Sequence, residues 1–386
     1  MKRQGPARLL FVINDARFFV THILPLARAA VAAGYDTHVA LPFQGAALDM
    51  ADALAAIRGC GAQLHDLPVS RGGTAWLGEL AAFAAIWRII ARLRPDILHC
   101  ITIKPVLYGG LAARLLRIRR VIYFITGLGH VFIAKGPWAA LRRRLVMLAY
   151  RMVLRSRRGM TVFENADDRH LFVDAHLVRS EQTVLIPGCG VDSKLFYPAR
   201  MTPPDPPIVL LPARLQLEKG VREFVAAAKL LRQRGLQVRM ALAGYADFDR
   251  PGGISETELH GWSESGAIEW WGHSTNMPET LRRVHIVCLP SYREGFSKTL
   301  IEAAAAGLPI VTSDVPGCRD AVRAGETALL TPPGNVTALA DALEHLLRDP
   351  GLRAAMGVRG RDLAVKEYPV TRFVNANLSL YAGTPE

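Results

Sequence analysis

Short apolar runs alternate with longer stretches of helical periodicity along almost the whole chain, and this alternation constrains the fold more than any other feature. A run of about four to eight apolar residues suits a strand buried on both faces. Helical stretches between such runs act as crossovers and set the strands parallel. In the first half the candidate strands are Leu9–Ile13, Thr37–Leu41, Ile97–Ile101, Val121–Ile125, Met160–Phe163 and Val184–Ile186. Ile23–Ala33, Leu77–Leu93 and Val106–Leu116 read as helices between them.

A cluster of prolines, Pro198, Pro203, Pro204, Pro206 and Pro207, breaks the pattern and reads as a linker. Beyond it the alternation restarts. Ile208–Leu211, Val238–Ala243, Ile268–Trp271, Ile286–Leu289, Pro309–Thr312 and Ala328–Leu330 are candidate strands, and Gly220–Gln233, Ser297–Ala306 and Thr337–Leu347 candidate helices. At ~150 residues per domain, 386 residues make two or three. The expected fold is α/β, two doubly wound, Rossmann-like domains spanning residues 1–200 and 201–366. The carboxyl ends of their sheets would frame a ligand cleft. Leu352–Tyr381 reads as helix broken near Tyr368-Pro369, with 367–386 expected to return to the first domain.

Half of the residues are apolar and 21% charged, which excludes a disordered or collagen-like chain. No uncharged run exceeds 14 residues, short of the ~20 that a spanning helix needs. The opening Met1-Lys2-Arg3 with Leu9–Ile13 is too short in its apolar part for a secretory signal and reads better as a first strand. The expected location is therefore cytoplasmic, soluble or peripheral on the inner face of the plasma membrane. The five cysteines are widely spaced with no Cys-x-x-Cys pair, so neither zinc nor a disulfide framework is expected.

The net charge of +13 lies wholly in the first half. Residues 1–200 hold 27 Lys/Arg against 13 Asp/Glu, and residues 201–386 hold 20 against 21. Such asymmetry calls for an anionic partner. Pro137–Arg158 is the densest stretch, with seven arginines, no acid, and Trp138, Leu141, Leu145, Leu148 and Met152 among its apolar residues. A basic amphipathic helix suits an anionic membrane surface. It equally suits a solvated helix covering its own domain. No nucleic-acid motif is present, and no nucleic-acid partner is expected.

The strongest constellation for chemistry is PSYREGFSKTLIEAAAA at Pro290–Ala306. A strand ends at Leu289, a loop carries Glu294, Gly295 and Phe296, and Ser297 is placed to cap the following helix. The first amides of that helix, on Ser297, Lys298, Thr299 and Leu300, are expected to lack intrahelical partners. With the macrodipole they would form an anion pocket for a diphosphate. Glu294 sits just outside the helix, and Glu302 lies one turn inside, within reach of a ribose hydroxyl. The second constellation, Ala213–Gly220 (ARLQLEKG), follows the first strand of the second half and offers Arg214 and Lys219 to neutralise phosphate charge.

In these two constellations the chain resembles the retaining glycosyltransferases of the GT-B fold, glycosyltransferase family four. Glu294 and Glu302 match the family's Glu-x7-Glu element. Ala213–Gly220 matches its Gly-Arg-Leu…Lys-Gly element, with Ala213 in place of the leading glycine. More narrowly, FFVTHILPLA (18–27), IKPVLYGG (103–110), ITGLGHVF (125–132), VFENADD (162–168) and IPGCGVDSKLF (186–196) are similar to segments of bacterial enzymes that extend lipid-linked oligosaccharides for capsule, O-antigen or protein glycosylation. The resemblance implies transfer of a hexose or N-acetylhexosamine from a nucleotide sugar, UDP favoured, to a polyprenyl-diphosphate-linked glycan. It implies retention of configuration, no metal and no other cofactor. It gives Glu294 the transferred sugar, Glu302 the ribose, and Arg214 and Lys219 the diphosphate. Where many members place a histidine this chain has Thr126-Gly127, which leaves His130 as the candidate donor-facing catalytic residue.

The remaining candidates each have a plain rival. Gly127 and Gly129 would let backbone approach the donor or simply turn the chain. His22 and Lys104 lie at strand ends where an acceptor phosphate would sit, or are a helix-start histidine and a solvated lysine. His273 would border the base pocket. Asp247-Phe248-Asp249 has the look of a metal-binding Asp-x-Asp, yet two carboxylates alone do not make a magnesium site. An epimerase of the same fold, a transferase with a soluble acceptor, and a non-enzymatic membrane or nucleic-acid binder remain the alternatives.

Overall fold

Strands whose two faces are both apolar need helices on both sides, and the chain supplies them between most of its strands. The computed structural model describes residues 5–43, 50–68, 76–128, 136–199, 205–246, 248 and 252–383. The chain divides into two units, Met1–Cys189 with Thr371–Glu386, and Gly190–Val370. The division falls ahead of the proline cluster, because Val191 and Phe196 already pack into the core of the second unit.

Among its described residues the first unit holds seven parallel strands: β1 Arg8–Val12, β2 Asp36–Leu41, β3 Gln63–Asp66, β4 Ile97–Ile101, β5 Arg120–Ile125, β6 Gly159–Phe163 and β7 Thr183–Leu185. Their order is β3-β2-β1-β4-β5-β6-β7. The helices in between are α1 Leu24–Ala32, α2 Met50–Gly59, α3 Trp76–Leu93, α4 Ile103–Leu115, α5 Pro137–Leu154 and α6 Ala166–Asp174. Alternate residues of each strand feed opposite cores. Leu10, Val12, Leu98 and Tyr123 pack with α3, α4 and α5, whereas Leu9, Phe11, Ile97 and Phe124 pack on the other face with α1. Pro25 lies in the first turn of α1 and donates no backbone hydrogen bond, and the turn before it, Phe19–Ile23, is π-helical.

In the second unit the strands are β8 Ile208–Pro212, β9 Arg239–Ala243, β10 Glu269–Trp270, β11 Ile286–Leu289, β12 Ile310–Ser313 and β13 Ala328–Thr331. They are also all parallel, in the order β10-β9-β8-β11-β12-β13. Its helices are α7 Val221–Gln233, α8 Glu256–Glu264, α9 Met277–Leu281, α10 Lys298–Ala305, α11 Val336–Arg348 and α12 Pro350–Glu367. Two doubly wound sheets are the α/β architecture that the alternation predicts.

The last helix, α13 Val370–Ala382, begins just after the Tyr368-Pro369 break and packs in the first unit. Phe373, Leu380 and Tyr381 join the core beneath β1, β4 and β5. The Tyr381 hydroxyl meets Nδ1 of the buried His99 on β4 at 2.6 Å, and the Arg120 guanidinium donates to the Tyr381 carbonyl.

Burial holds His99 down at about 3. Burial first, then charge interactions with His38, Arg92 and Arg8, hold His65 at about 4. Both values lie below the 6.5 of an unperturbed histidine, so between these limits the unfolded chain binds more protons and acid favours unfolding. The melting temperature is expected to fall steadily from about pH 7 to about pH 4.5, and a flat profile in thermal denaturation would contradict these burials.

Candidate active site

Loops leave the carboxyl ends of β8 and β11, which are neighbours at the centre of the second sheet. The helices that follow go to opposite faces, α7 into the core with Val209 and α10 into the core with Leu210. A doubly wound sheet opens a crevice where its winding reverses in this way, and ligands bind there. Gly220 ends the first loop at φ 72°, and a Cβ on it would lie 2.1 Å from the Pro290 carbonyl oxygen. Only glycine allows so close an approach of the two loops. Tyr292 N–H and the Ser291 hydroxyl both donate to the Glu218 carbonyl, at 2.9 and 3.0 Å.

This docking delivers Lys219 to Glu294. Its ammonium donates to Oε1 at 2.6 Å and to Oε2 at 2.7 Å, with the side chains 13% and 14% exposed. Ser291 Oγ adds a third hydrogen bond to Oε1 at 2.8 Å. Behind the acid, Glu294 N–H donates to the Pro316 carbonyl, and Gly317 turns at φ 77°. A Cβ on Gly317 would stand 2.5 Å from the Glu294 carbonyl oxygen. Burial, with the Glu294 charge adding to it, pushes the Cys318 thiol up to about 12, so the sulfur beside the acid stays neutral.

The start of α10 departs from expectation. Ser297 occupies the N-cap position in extended backbone, but its side chain accepts no capping bond. Its amide donates instead to the Gly317 carbonyl at 2.9 Å, and the Leu300 amide closes on the Ser297 carbonyl at 3.2 Å. Two of the four amides expected to face an anion are therefore taken, one by the Pro316-Gly317 turn and one by a tight first turn. Phe296 and Leu300 point into the core, Phe296 edge-on to Tyr368 with ring centroids 5.2 Å apart. Thr299 Oγ1 reaches the Pro212 carbonyl at the end of β8 at 3.4 Å, which sets the helix start beside the Arg214 loop. Glu302, buried inside α10, pairs with Lys298.

With that geometry in place, two family models divide the chain. Residues 8–157 match the glycosyl transferase 4-like model, and residues 197–363 match glycosyl transferases group 1. The chain belongs to these glycosyltransferases. It is 28% identical over 286 residues to the N,N'-diacetylbacillosaminyl-diphospho-undecaprenol alpha-1,3-N-acetylgalactosaminyltransferase of Campylobacter jejuni, covering 71% of this chain and 73% of that one. It is 27% identical to the capsular polysaccharide biosynthesis glycosyltransferase CapM of Staphylococcus aureus over 38% of each chain. Sucrose-phosphate synthase from Thermosynechococcus elongatus shares the fold over 98% of both chains, with a TM-score of 0.78 and 21% identity. Anabaena HepE in complex with UDP-glucose shares it with a TM-score of 0.77 and 18% identity, over 97% of this chain and 99% of that one. The glycosyltransferase therefore has the GT-B architecture.

The other expected site residues of this glycosyltransferase are less closely knit. Arg214 is exposed on the β8 loop, and Gly295 sits beside Gly317. His273 is exposed just past β10, next to Gly272, whose carbonyl accepts the Gly244 amide at 2.8 Å. In the first unit, Gly127 turns at φ 113° after β5. His22 stacks on Phe18 with centroids 4.0 Å apart, and Lys104 pairs with Glu79 at 2.8 Å. Gly129, His130, Asp247 and Asp249 lie outside the described residues. Ser291 and Gly317, which position the acid, carry no sequence signal beyond the loops that hold them. Gly317→Ala is expected to cost about 1–3 kcal/mol by forcing a left-handed, crowded position. A urea titration with an unchanged midpoint would contradict the packing of that turn on Glu294.

Proposed function

We propose that this glycosyltransferase moves a hexose or N-acetylhexosamine from a nucleotide sugar, a UDP-sugar by preference, to a polyprenyl-diphosphate-linked glycan. Configuration is retained and no metal takes part. The Lys219–Glu294 pair at the sheet's reversal point carries the reading. A diphosphate entering the crevice competes with Glu294 for the Lys219 ammonium and draws it onto the phosphates. Arg214, on the same loop, adds a second cation. Together they neutralise the charge that grows on the leaving diphosphate as the glycosidic bond breaks. The freed Glu294 carboxylate then faces the sugar, where it orients hydroxyls and eases cationic character at the anomeric carbon. Glu302 takes the ribose, and His130 is the donor-facing residue of the first unit.

The relatives lend support. The Campylobacter enzyme is named for a diphospho-undecaprenol acceptor, and HepE is known with UDP and with UDP-glucose. Glu294→Gln and Lys219→Ala should each slow transfer about 10²–10³-fold without loss of secondary structure. The assay is a screen of nucleotide sugars with synthetic lipid-diphosphate acceptors, read by mass spectrometry. Wild-type turnover in Glu294→Gln would reject the site. Turnover that survives EDTA, and an α-linked product from an α-linked donor, test the metal-free and retaining parts.

The same reading lays α5 on an anionic bilayer at the inner face of the plasma membrane. The helix has two apolar faces. Tyr150, Val153 and Leu154 are buried in the first unit, while Trp138, Leu141, Leu145, Leu148 and Met152 form an exposed stripe at spacings of three and four. Arg142, Arg144 and Arg151 are also exposed. Among the described residues no helix is long and apolar enough to cross a membrane. A peripheral stripe bordered by arginines suits the headgroup layer. Co-flotation with phosphatidylglycerol vesicles is expected for the wild type and lost in Leu145→Glu/Leu148→Glu. Equal flotation of the two proteins would exclude this face.

A further inference from the structure

Ile97–Phe163 contains thirteen lysines and arginines and no aspartate or glutamate. The fold gathers five of these cations around one hollow. Arg114, Arg117, Arg155, Arg157 and Arg158 line a cavity of about 360 Å³ in the first unit. Its neighbours are the end of α4, the end of α5 and the first residues of β5, so it opens at the amino-terminal edge of the sheet. The loops bearing Thr102 and Gly127 leave the opposite edge. Nothing in the transfer chemistry above uses this hollow.

Five guanidiniums with no acid in their own segments repel one another, and an anion relieves that repulsion. Guanidinium forks match the oxygens of an oxyanion such as a phosphate ester in pairs, so such an anion fits better than a halide. The two helices that end at the hollow also expose apolar side chains. Leu111 and Leu115 are exposed on α4 next to Arg114, and Leu148 and Met152 are exposed on α5. The Arg114 guanidinium donates to the Met152 carbonyl at 2.7 Å, which fixes the two helix ends beside each other. A charged hollow between two helices that expose apolar side chains matches an amphiphile whose phosphate enters and whose chains stay outside. We propose that this pocket binds the head-group phosphate of an anionic glycerophospholipid. The inference rests on the membrane-facing reading of α5 and adds a discrete lipid site to it.

The test compares the wild type with Arg117→Gln/Arg158→Gln, and with Arg28→Gln/Arg58→Gln, which removes equal charge from exposed arginines elsewhere in the first unit. Glycerol phosphate should raise the melting temperature of the wild type and of the control but not of the pocket variant. Partition onto phosphatidylcholine vesicles containing phosphatidylglycerol should fall about thirtyfold in the pocket variant and little in the control. Equal losses in both variants would reduce the effect to net charge and overturn the pocket. Stabilisation by glycerol phosphate with no preference for phosphatidylglycerol over pure phosphatidylcholine would overturn the lipid assignment in favour of a soluble phosphate ester. Should the helix reading alone fail, Leu145→Glu/Leu148→Glu floats normally while the glycerol phosphate response persists, so the two failures are distinguishable.

Discussion

A carboxylate taken out of water must be met by a cation or by several hydrogen bonds, and Glu294 receives both from a loop 75 residues away. Everything at the crevice follows from that requirement. Gly220 has no side chain so that Lys219 can arrive, Ser291 turns inward to supply a further donor, and Gly317 leaves room behind the acid. Burying such a pair adds little net stability, because desolvation offsets most of the Coulomb attraction. Stranding one member costs about 3–5 kcal/mol. The pair is thus a weak brace for the fold, whatever else it does.

The fold was legible wherever burial on two faces wrote itself as an apolar run. Ile97–Ile101 and Ile286–Leu289 are strands at the bounds read from the residues, and the break at Tyr368-Pro369 separates α12 from α13. β3, Gln63–Asp66, carries no such signal, because an edge strand needs no continuous apolar run and Gln-Leu-His-Asp has none. The loops of the site were legible as motifs, but the partners within them were not. Spacing pairs Lys219 with Arg214 as two cations, whereas the folded chain pairs Lys219 with Glu294. The cap at Ser297 shows a similar limit. Residue type suits it to hold the helix amides, yet the neighbouring turn at Gly317 offers its backbone a nearer acceptor.

The charge asymmetry of the sequence also gains a physical form. The excess is concentrated on α4, α5 and the turns that follow them, in a unit whose opposite strand ends carry Thr102 and Gly127. α5 could have been either a cover for its own domain or a surface for something else. Its apolar residues fall on two separate faces, one buried in the first unit and one exposed, so covering its own domain accounts for only one of them.

One consequence follows from the place of α13. Its Phe373 and Tyr381 complete a hydrophobic layer laid down by strands at the very start of the chain, with the entire second unit encoded between them. A ribosome therefore finishes the amino-terminal sheet long before it makes the helix that roofs one side of it. During synthesis the nascent protein must carry the uncovered His99 and Phe124 side, or borrow a chaperone to shield it, until α13 emerges.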